Sequence, residues 1–375
     1  MKTRSAIAVL TAAAAISAAG AVRAVHKTHQ PDKRPGFERE SFAGVFDTCS
    51  IKFDYSLTNG VLYRCRRWGD YFCNILLGYS PRNGGWDRWD FLHVYVKTPK
   101  GVVNALSHSM PALFTGYSAG GADFIAAEWE VEGSGRLKLR FATFPSHRGW
   151  LFLRVETGGA EVVRVVLSAH PGNAAVPEGR ERHLATKERD WLLNTTSAEF
   201  APASPSILLY SLYVDEKFGN KLVFSNDAVE KVKSRRTTSG VSVDCTPKKG
   251  APALDFALGY FAHCDPSDQL TRFLGEDGDA VSAFLKSIKW NRTPDAGEFR
   301  LSVDIARQMG VDGASLDAAE KKFRAAAAAA DIAAVAGCFE EVLTLRRERA
   351  RAGLDEYSAP PAGRKPAETG RERRR

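Results

Sequence analysis

The residues best suited to chemistry concentrate in one stretch, residues 68–97, which holds three of the seven tryptophans in the 375-residue chain. Six side chains there combine flat aromatic rings with hydrogen-bonding groups: Trp86, Asp87, Arg88, Trp89, His93 and Tyr95. Aromatic rings offer flat apolar faces against which the C–H face of a sugar ring can pack. Adjacent Asp, Arg and His side chains can then bind the sugar hydroxyls. The cluster therefore predicts a carbohydrate-binding surface.

The end of this stretch alternates as a β-strand does. Trp89, Phe91, His93 and Tyr95 fall on one face, and Leu92, Val94 and Val96 fall on the other. We expect a central strand of a large sandwich, with the aliphatic face in the core and the aromatic face toward a cleft or a second layer. The alternative is that both faces are covered and the aromatic side chains are core residues.

A second motif, Gly116-Tyr117-Ser118-Ala119-Gly120, matches G-x-S-x-G. It resembles the nucleophile elbow of α/β-hydrolases, in which a strained strand-to-helix turn projects the serine hydroxyl. That resemblance implies a serine ester hydrolase that uses Ser118. It requires a helix after the motif, whereas the surrounding pattern is rich in strands and favours a glycine-rich sandwich loop.

Two carboxylates form the third candidate. Glu128 and Glu130 lie two residues apart, which on a strand places them on one face about 7 Å apart. Paired carboxylates at a similar separation act in glycosidases, so both are candidate catalytic residues. Any half-exposed strand produces the same spacing.

Cofactor and metal signals are weak in the sequence. No phosphate-binding glycine loop or dinucleotide fingerprint is present, and His263-Cys264-Asp265 with Asp268 fits a turn before a helix. We expect no cofactor and no metal. Cys65 and Cys73 flank Trp68-Gly69-Asp70, which suits a tight hairpin turn and predicts a disulfide; the alternative is two buried thiols.

The spacing of strand-like segments indicates the fold class. Eleven such segments are Ile51–Ser56, Val61–Arg66, Tyr71–Tyr79, Trp89–Lys97, Arg136–Phe144, Trp150–Glu156, Glu161–Ala169, Ile207–Val214, Lys221–Ser225, Val241–Asp244 and Leu254–His263. Strands separated by turn signals at this spacing predict a mainly β protein, a large antiparallel β-sandwich. At the level of fold class it resembles the supersandwiches of sugar mutarotases and of accessory domains in glycan-degrading enzymes.

Helical patterns begin after the strands. Asp277 and Asp279 are placed to cap a helix over residues 280–289, and residues 315–351 predict a C-terminal α-helical hairpin that is broken near Asp331. The predicted organisation is a signal peptide (1–24), a polar leader (25–41), a β-sandwich ending in a helix (42–290), a helical segment (291–357) and a disordered basic tail (358–375).

The N-terminus predicts export to the periplasm or the extracellular space. Lys2 and Arg4 precede an apolar run over residues 6–16, and small residues allow cleavage before Val22 or Val25. We expect no membrane span in the mature chain. The net charge of +8 also lies mainly outside the predicted fold: the signal peptide contributes +3 and residues 364–375 contribute +4, so residues 25–363 carry only +1. A nucleic-acid partner is therefore not indicated.

These patterns together predict an exported β-sandwich protein that binds or processes glycans, with catalysis left undecided. One alternative is the serine ester hydrolase. The other is a non-enzymatic envelope or interaction protein that contacts a protein partner through its C-terminal helices.

Overall fold

A computed structural model shows two large antiparallel β-sheets packed face to face, followed by helices. The described residues are 23–29, 37–46, 49–58, 61–63, 73–77, 89–111, 113–119, 122–157, 159–169, 181–212, 218–237, 240–262, 266–290, 296–329, 331, 334–335, 337–339, 341–346 and 348–349. The predicted mainly β sandwich is therefore confirmed.

Within the described ranges, the first sheet has eleven strands and the second has nine. The strands of the first sheet are β1 (Arg23–His29), β2 (Phe37–Val45), β3 (Cys49–Thr58), β4 (Val61–Tyr63), β5 (Cys73–Leu77), β6 (Trp89–Thr98), β7 (Gly101–Asn104), β12 (Val162–Ala169), β15 (Ala198–Phe200), β18 (Val229–Arg236) and β19 (Val241–Pro247). The strands of the second sheet are β8 (Leu113–Ala119), β9 (Ala122–Val131), β10 (Gly135–Thr143), β11 (Leu151–Glu156), β13 (Glu181–Ala185), β14 (Asp190–Leu192), β16 (Ser206–Leu212), β17 (Phe218–Phe224) and β20 (Ala253–Ala262). Neighbours in the first sheet run β1-β2-β3-β5-β6-β12-β19-β18-β15, and those in the second run β14-β13-β16-β17-β20-β11-β10-β9-β8.

The main core lies between the two sheets and is built by alternation along each strand. On β9, Ile125, Ala127 and Trp129 face inward and are fully or almost fully buried. In this core the Trp129 indole N–H donates to the Tyr55 hydroxyl oxygen at 3.2 Å. This contact meets the requirement that a polar group removed from water keeps a hydrogen bond.

Short helices cover part of the outer face of the second sheet, the face turned away from the first sheet. They are α2 (Pro266–Arg272), a π-helical segment (Phe273–Asp277) and α3 (Gly278–Ser287), whereas α1 (Ala105–His108) follows β7. Helical structure begins at Pro266, and α3 covers most of the helix predicted over residues 280–289. Asp277 has helical backbone angles and makes no side-chain cap.

The C-terminal helices have a small core of their own. They comprise α4 (Ala296–Gln308), α5 (Gly313–Ala328) and further helical residues between 334 and 349. The Phe299 and Phe323 rings stack at 3.9 Å between centroids, and the Asp312 side chain caps α5 by accepting from the Ser315 backbone N–H. The predicted break near Asp331 agrees with the end of α5. None of the helices in the described ranges is both long and apolar enough to span a membrane.

The strand that begins at Trp89 lies in the middle of the first sheet, as predicted, but its first residue faces the other way. Phe91 pairs with Ser168, whereas Trp89 pairs with Ala169, so Asp90 is an extra residue in the ladder. Such a β-bulge reverses the alternation at one point. Trp89 is therefore turned into the core beside Leu92, and the predicted outward orientation of its ring is wrong.

The expected polar leader over residues 25–41 instead includes most of β1 and the start of β2. β1 pairs along its whole length with β2 at the edge of the first sheet. The predicted hairpin turn between Cys65 and Cys73 falls on residues outside the described ranges; of its flanks, β4 and β5 both pair antiparallel with β3, along the edge opposite β2. Cys65 itself and the Cys73 side chain lie outside the described residues. So do the predicted signal peptide up to residue 22 and the tail from residue 350 on.

Candidate functional site

The predicted aromatic cluster is only partly in the described structure. Trp86, Asp87 and Arg88 lie outside the described residues, so their binding role stays a prediction. Trp89 is 1% exposed, and its indole N–H donates to the Gly259 carbonyl of the opposite sheet at 2.9 Å. Its ring joins the two sheets and offers no surface for a ligand.

His93 and Tyr95 lie together on the outer face of the first sheet. Their rings stack at 6.2 Å, and the Arg164 guanidinium lies 4.1 Å from the centre of the Tyr95 ring. His93 Nδ1 is 2.9 Å from the Asn104 amide nitrogen. Burial, with a smaller contribution from the Arg164 charge, lowers the pKa of His93 to about 4. The imidazole is therefore neutral at physiological pH, and the Tyr95 ring already has a cation against it.

Ser118 does not lie on a nucleophile elbow. It is within β8, opposite Asp123 of β9, and Ala119 pairs with Ala122 across the end of this antiparallel hairpin. A nucleophile elbow needs a strand followed directly by a helix. Ser118 is instead on a strand that pairs with the next strand along the chain. The ester-hydrolase alternative therefore lacks the strand-to-helix turn that it requires.

Glu128 and Glu130 lie on one face of β9, as predicted, but each faces a cation on β10. Arg136 Nε is 3.0 Å from Glu130 Oε1, and Lys138 Nζ is 3.8 Å from Glu128 Oε1. The register places Arg136 opposite Glu130 and Lys138 opposite Glu128. Opposite charges at directly facing positions stabilise a sheet, which favours a structural role for this pair.

A cavity of about 450 Å³ lies on the outer face of the second sheet, between the β13–β14 hairpin and the start of the helical layer. Its lining comprises residues 185–190 on the hairpin side and Leu270, Thr271, Leu274 and Gly275 on the helix side. The volume falls within the range of about 300–1,000 Å³ that is usual for small-molecule sites. The helix side includes part of the π-helical segment, an irregularity found often at functional sites.

One carboxylate in this lining is held by two neighbouring strands. Tyr210 on β16 donates its hydroxyl to Asp190 Oδ2, and His183 Nδ1 on β13 lies 3.2 Å from Asp190 Oδ1. The His183 and Tyr210 rings stack at 4.7 Å with an angle of 14° between their planes. His183 Nε2 is 3.5 Å from a carboxylate oxygen of Glu181. The four side chains therefore form a hydrogen-bonded row, in which Asp190 is the member that lines the cavity.

This arrangement follows from strand alternation. Leu184 on β13 points into the main core, so His183 and Ala185 point to the outer face. The β13–β16 register sets His183 directly opposite Tyr210, and the β13–β14 register sets Ala185 opposite Asp190. The carboxylate on the edge strand can then reach across to both rings.

The charges in the row are mutually stabilised. The hydrogen bond to Asp190 raises the pKa of His183, against an opposing effect of burial. Burial alone would raise the pKa of Asp190, but the hydrogen bonds from His183 and Tyr210 outweigh it and lower that pKa. Burial, followed by the bond to Asp190, raises the pKa of Tyr210. Asp190 is thus ionised at neutral pH, and Tyr210 keeps its proton.

The sequence did not point to this site. Its three central residues are spread over residues 183–210, and none belongs to a motif with fixed spacing. One usable signal was Leu184, followed after a polar turn by Trp191 and Leu193, which are apolar residues spaced as on the inner face of a hairpin.

No protein-family model and no curated protein sequence matches the chain. Among solved structures, the α-N-acetylgalactosaminidase of Bifidobacterium bifidum in complex with GalNAc is 10% identical, with a TM-score of 0.39 over 74% of this chain and 42% of that one. A putative aldose 1-epimerase from Klebsiella pneumoniae is 10% identical, with a TM-score of 0.36 over 75% of this chain and 95% of that one. The chain spans about two fifths of the length of the galactosaminidase. Likenesses this distant assign no activity.

Proposed function

We propose that the protein is an exported β-sandwich protein that binds glycans, and that its saccharide site is the cavity between the β13–β14 hairpin and α2. The observation that carries this proposal is the Asp190 carboxylate. It is ionised, fixed by His183 and Tyr210, and its side chain is 41% exposed at a cavity of small-molecule size.

The hydrogen-bonding capacity of Asp190 suits a polyhydroxylated ligand. A carboxylate offers about four acceptor positions, and the His183 imidazole, the Tyr210 hydroxyl and the Trp191 backbone N–H occupy three of them. The remaining position can accept a hydrogen bond from a ligand hydroxyl group, such as one of a sugar. Leu270 and Leu274 on the opposite wall supply apolar surface for the C–H groups of the ring. A few fixed polar groups in a partly apolar cavity are the usual composition of such sites.

The proposal concerns binding, not catalysis. A carboxyl group acts as a general acid when its environment raises its pKa toward the working pH. The pKa of Asp190 is lowered instead, so this group keeps its charge and its role as an acceptor.

Isothermal titration against a panel of mono- and oligosaccharides tests the proposal. Asp190→Asn removes the charge at nearly constant size, and a hydrogen bond to a charged group contributes about 1.5–3 kcal/mol. Affinity should therefore fall about 10- to 100-fold. Glu199→Gln is the matched control, because that carboxylate pairs with Lys231 and Lys233 on the other sheet. Failure of the wild-type protein to bind any saccharide rejects the function, whereas equal binding by Asp190→Asn rejects the site.

Export is the second part of the proposal, and it rests on the charged and apolar pattern of the first 21 residues. Cleavage before Val22 leaves β1 whole, whereas cleavage before Val25 removes Arg23 and Ala24 from it. We therefore expect mature protein that starts at Val22. Mass spectrometry of protein from the periplasm or the medium of the native host checks this, and detection of Met1 on that protein contradicts export with cleavage.

A further inference from the structure

Two buried side chains inside the sandwich have polar atoms without a protein partner. Asn220 on β17 is 0% exposed, and within the described part of the chain neither its amide nitrogen nor its amide oxygen makes a hydrogen bond. Ser211 on β16 is 1% exposed, and its hydroxyl is also unpaired there. The buried Arg182 guanidinium, in contrast, donates to the Thr237 and Gly240 carbonyls at 3.2 and 3.3 Å.

The two side chains share one face and are neighbours. Side chains two residues apart on a strand face the same side, so Asn220 faces the same side as Leu222 and Ser211 the same side as Leu209. Both leucines are in the core between the sheets. The β16–β17 register places Leu209 opposite Asn220, so Ser211 is the diagonal neighbour of Asn220. Diagonal positions are about 7–8 Å apart, a separation that one bridging oxygen can span between two polar side chains.

The energetics favour a shared partner. A buried polar atom without a hydrogen bond carries a desolvation penalty, and three such atoms lie on adjacent strands here. An amide offers donors and an acceptor, and a serine hydroxyl offers both. The complementary group is a hydroxyl, which also donates and accepts.

We propose that Asn220 and Ser211 together bind a hydroxyl-bearing molecule inside the sandwich, either an ordered water or a hydroxyl group of a small polyol or saccharide. This site is separate from the cavity at Asp190. That carboxylate lies on the outer face of the second sheet, whereas Asn220 and Ser211 face the first sheet.

A crystal structure of the full chain at a resolution that reveals ordered solvent is the direct test. Density for an oxygen about 2.7–3.2 Å from the Asn220 amide and from Ser211 Oγ is expected. A double-mutant cycle with Asn220→Leu and Ser211→Ala gives the second readout, by thermal denaturation. Residues that share one bridging molecule should show non-additive shifts in Tm. Absence of density together with additive shifts overturns the proposal, and the wild-type density decides alone if Asn220→Leu does not fold.

The source of the hydroxyl group is decided by titrating glycerol and a set of monosaccharides into wild type, Ser211→Ala and Asp190→Asn. A rise in Tm of about 2 °C or more that is lost in Ser211→Ala but kept in Asp190→Asn assigns the site to a polyol or saccharide. Bridging density without any such rise assigns it to water. Both results support the site, and neither depends on whether the Asp190 cavity binds a glycan.

Discussion

Trp89→Ala is expected to destabilise the protein by about 4–6 kcal/mol. Truncating a buried aromatic side chain to alanine costs about 3–5 kcal/mol, because it removes apolar contacts and leaves a cavity. The hydrogen bond from the indole N–H to the Gly259 carbonyl adds about 0.5–1.5 kcal/mol. This bond also joins the two sheets, since Trp89 belongs to β6 and Gly259 to β20. Trp89→Phe keeps a ring in the core but loses the bond, so it should cost about 2 kcal/mol.

Urea denaturation, with the midpoint compared at constant m-value, measures these changes. Val102→Ala on the adjacent β7 is the control: Val102 is 56% exposed, and its truncation should change the stability by less than about 0.5 kcal/mol. A loss below about 1.5 kcal/mol for Trp89→Ala would contradict the bulge at Asp90. The ring would then face outward, as simple alternation from Trp89 to Tyr95 predicts.

Three further outcomes are expected. Because the folded-state pKa of His93 is about 4 and the unfolded value is about 6.5, stability should fall by on the order of 3 kcal/mol as the pH drops from 6.5 to 4. His93→Gln should flatten this pH dependence of urea denaturation, and the same change at the exposed His108 should not. Ser118→Ala should leave fluorophosphonate labelling unchanged, since the wild-type serine lacks an elbow; stoichiometric labelling that disappears in the variant would restore the esterase alternative. The pKa of His183 is raised by Asp190, so the stability this pair provides is present below about pH 6.5 and lost as the pH rises through the higher folded value. His183→Gln should therefore cost more stability at pH 6 than at pH 9, and equal costs would show that the imidazole charge contributes nothing.

The fold class could be predicted because it depends on a repeated signal. All eleven segments proposed from alternation and turn residues overlap strands of the structure. Two of the strands that were not predicted have a weak pattern of apolar alternation. β13 reads ERHLA and β18 reads VEKVKSRR, with charged residues where an isolated strand would show an apolar run. Their cross-strand partners, such as Glu199 for Lys231 and Lys233, stabilise them and are not adjacent in sequence.

The predicted aromatic site shows that alternation alone does not reveal a β-bulge. The extra residue Asp90 changes the face on which Trp89 lies, and no feature of the local sequence indicates it. Trp89 therefore lies in the core and not on the predicted binding face, whereas His93 and Tyr95 lie on the predicted face. The row formed by His183, Asp190 and Tyr210 depends on pairing between three strands, so only the sheet order brings it together.

The position of the cavity follows from how closely the helical layer approaches the second sheet. A methyl group at Gly278 would collide with the Ser206 hydroxyl of β16 and would lie 2.6 Å from the Phe273 carbonyl oxygen. A glycine at this point therefore allows the start of α3 to rest directly on the strand. The preceding Leu270–Gly275 stretch faces the charged β13–β14 turn instead, and Lys187 of that turn reaches Asp279 on α3 at 3.1 Å. The helical layer touches the sheet at Gly278, and charged side chains separate it from the β13–β14 turn. The space between these two places lies over Asp190. The packing that covers the apolar part of this sheet thus also leaves the Asp190 carboxylate accessible at the cavity.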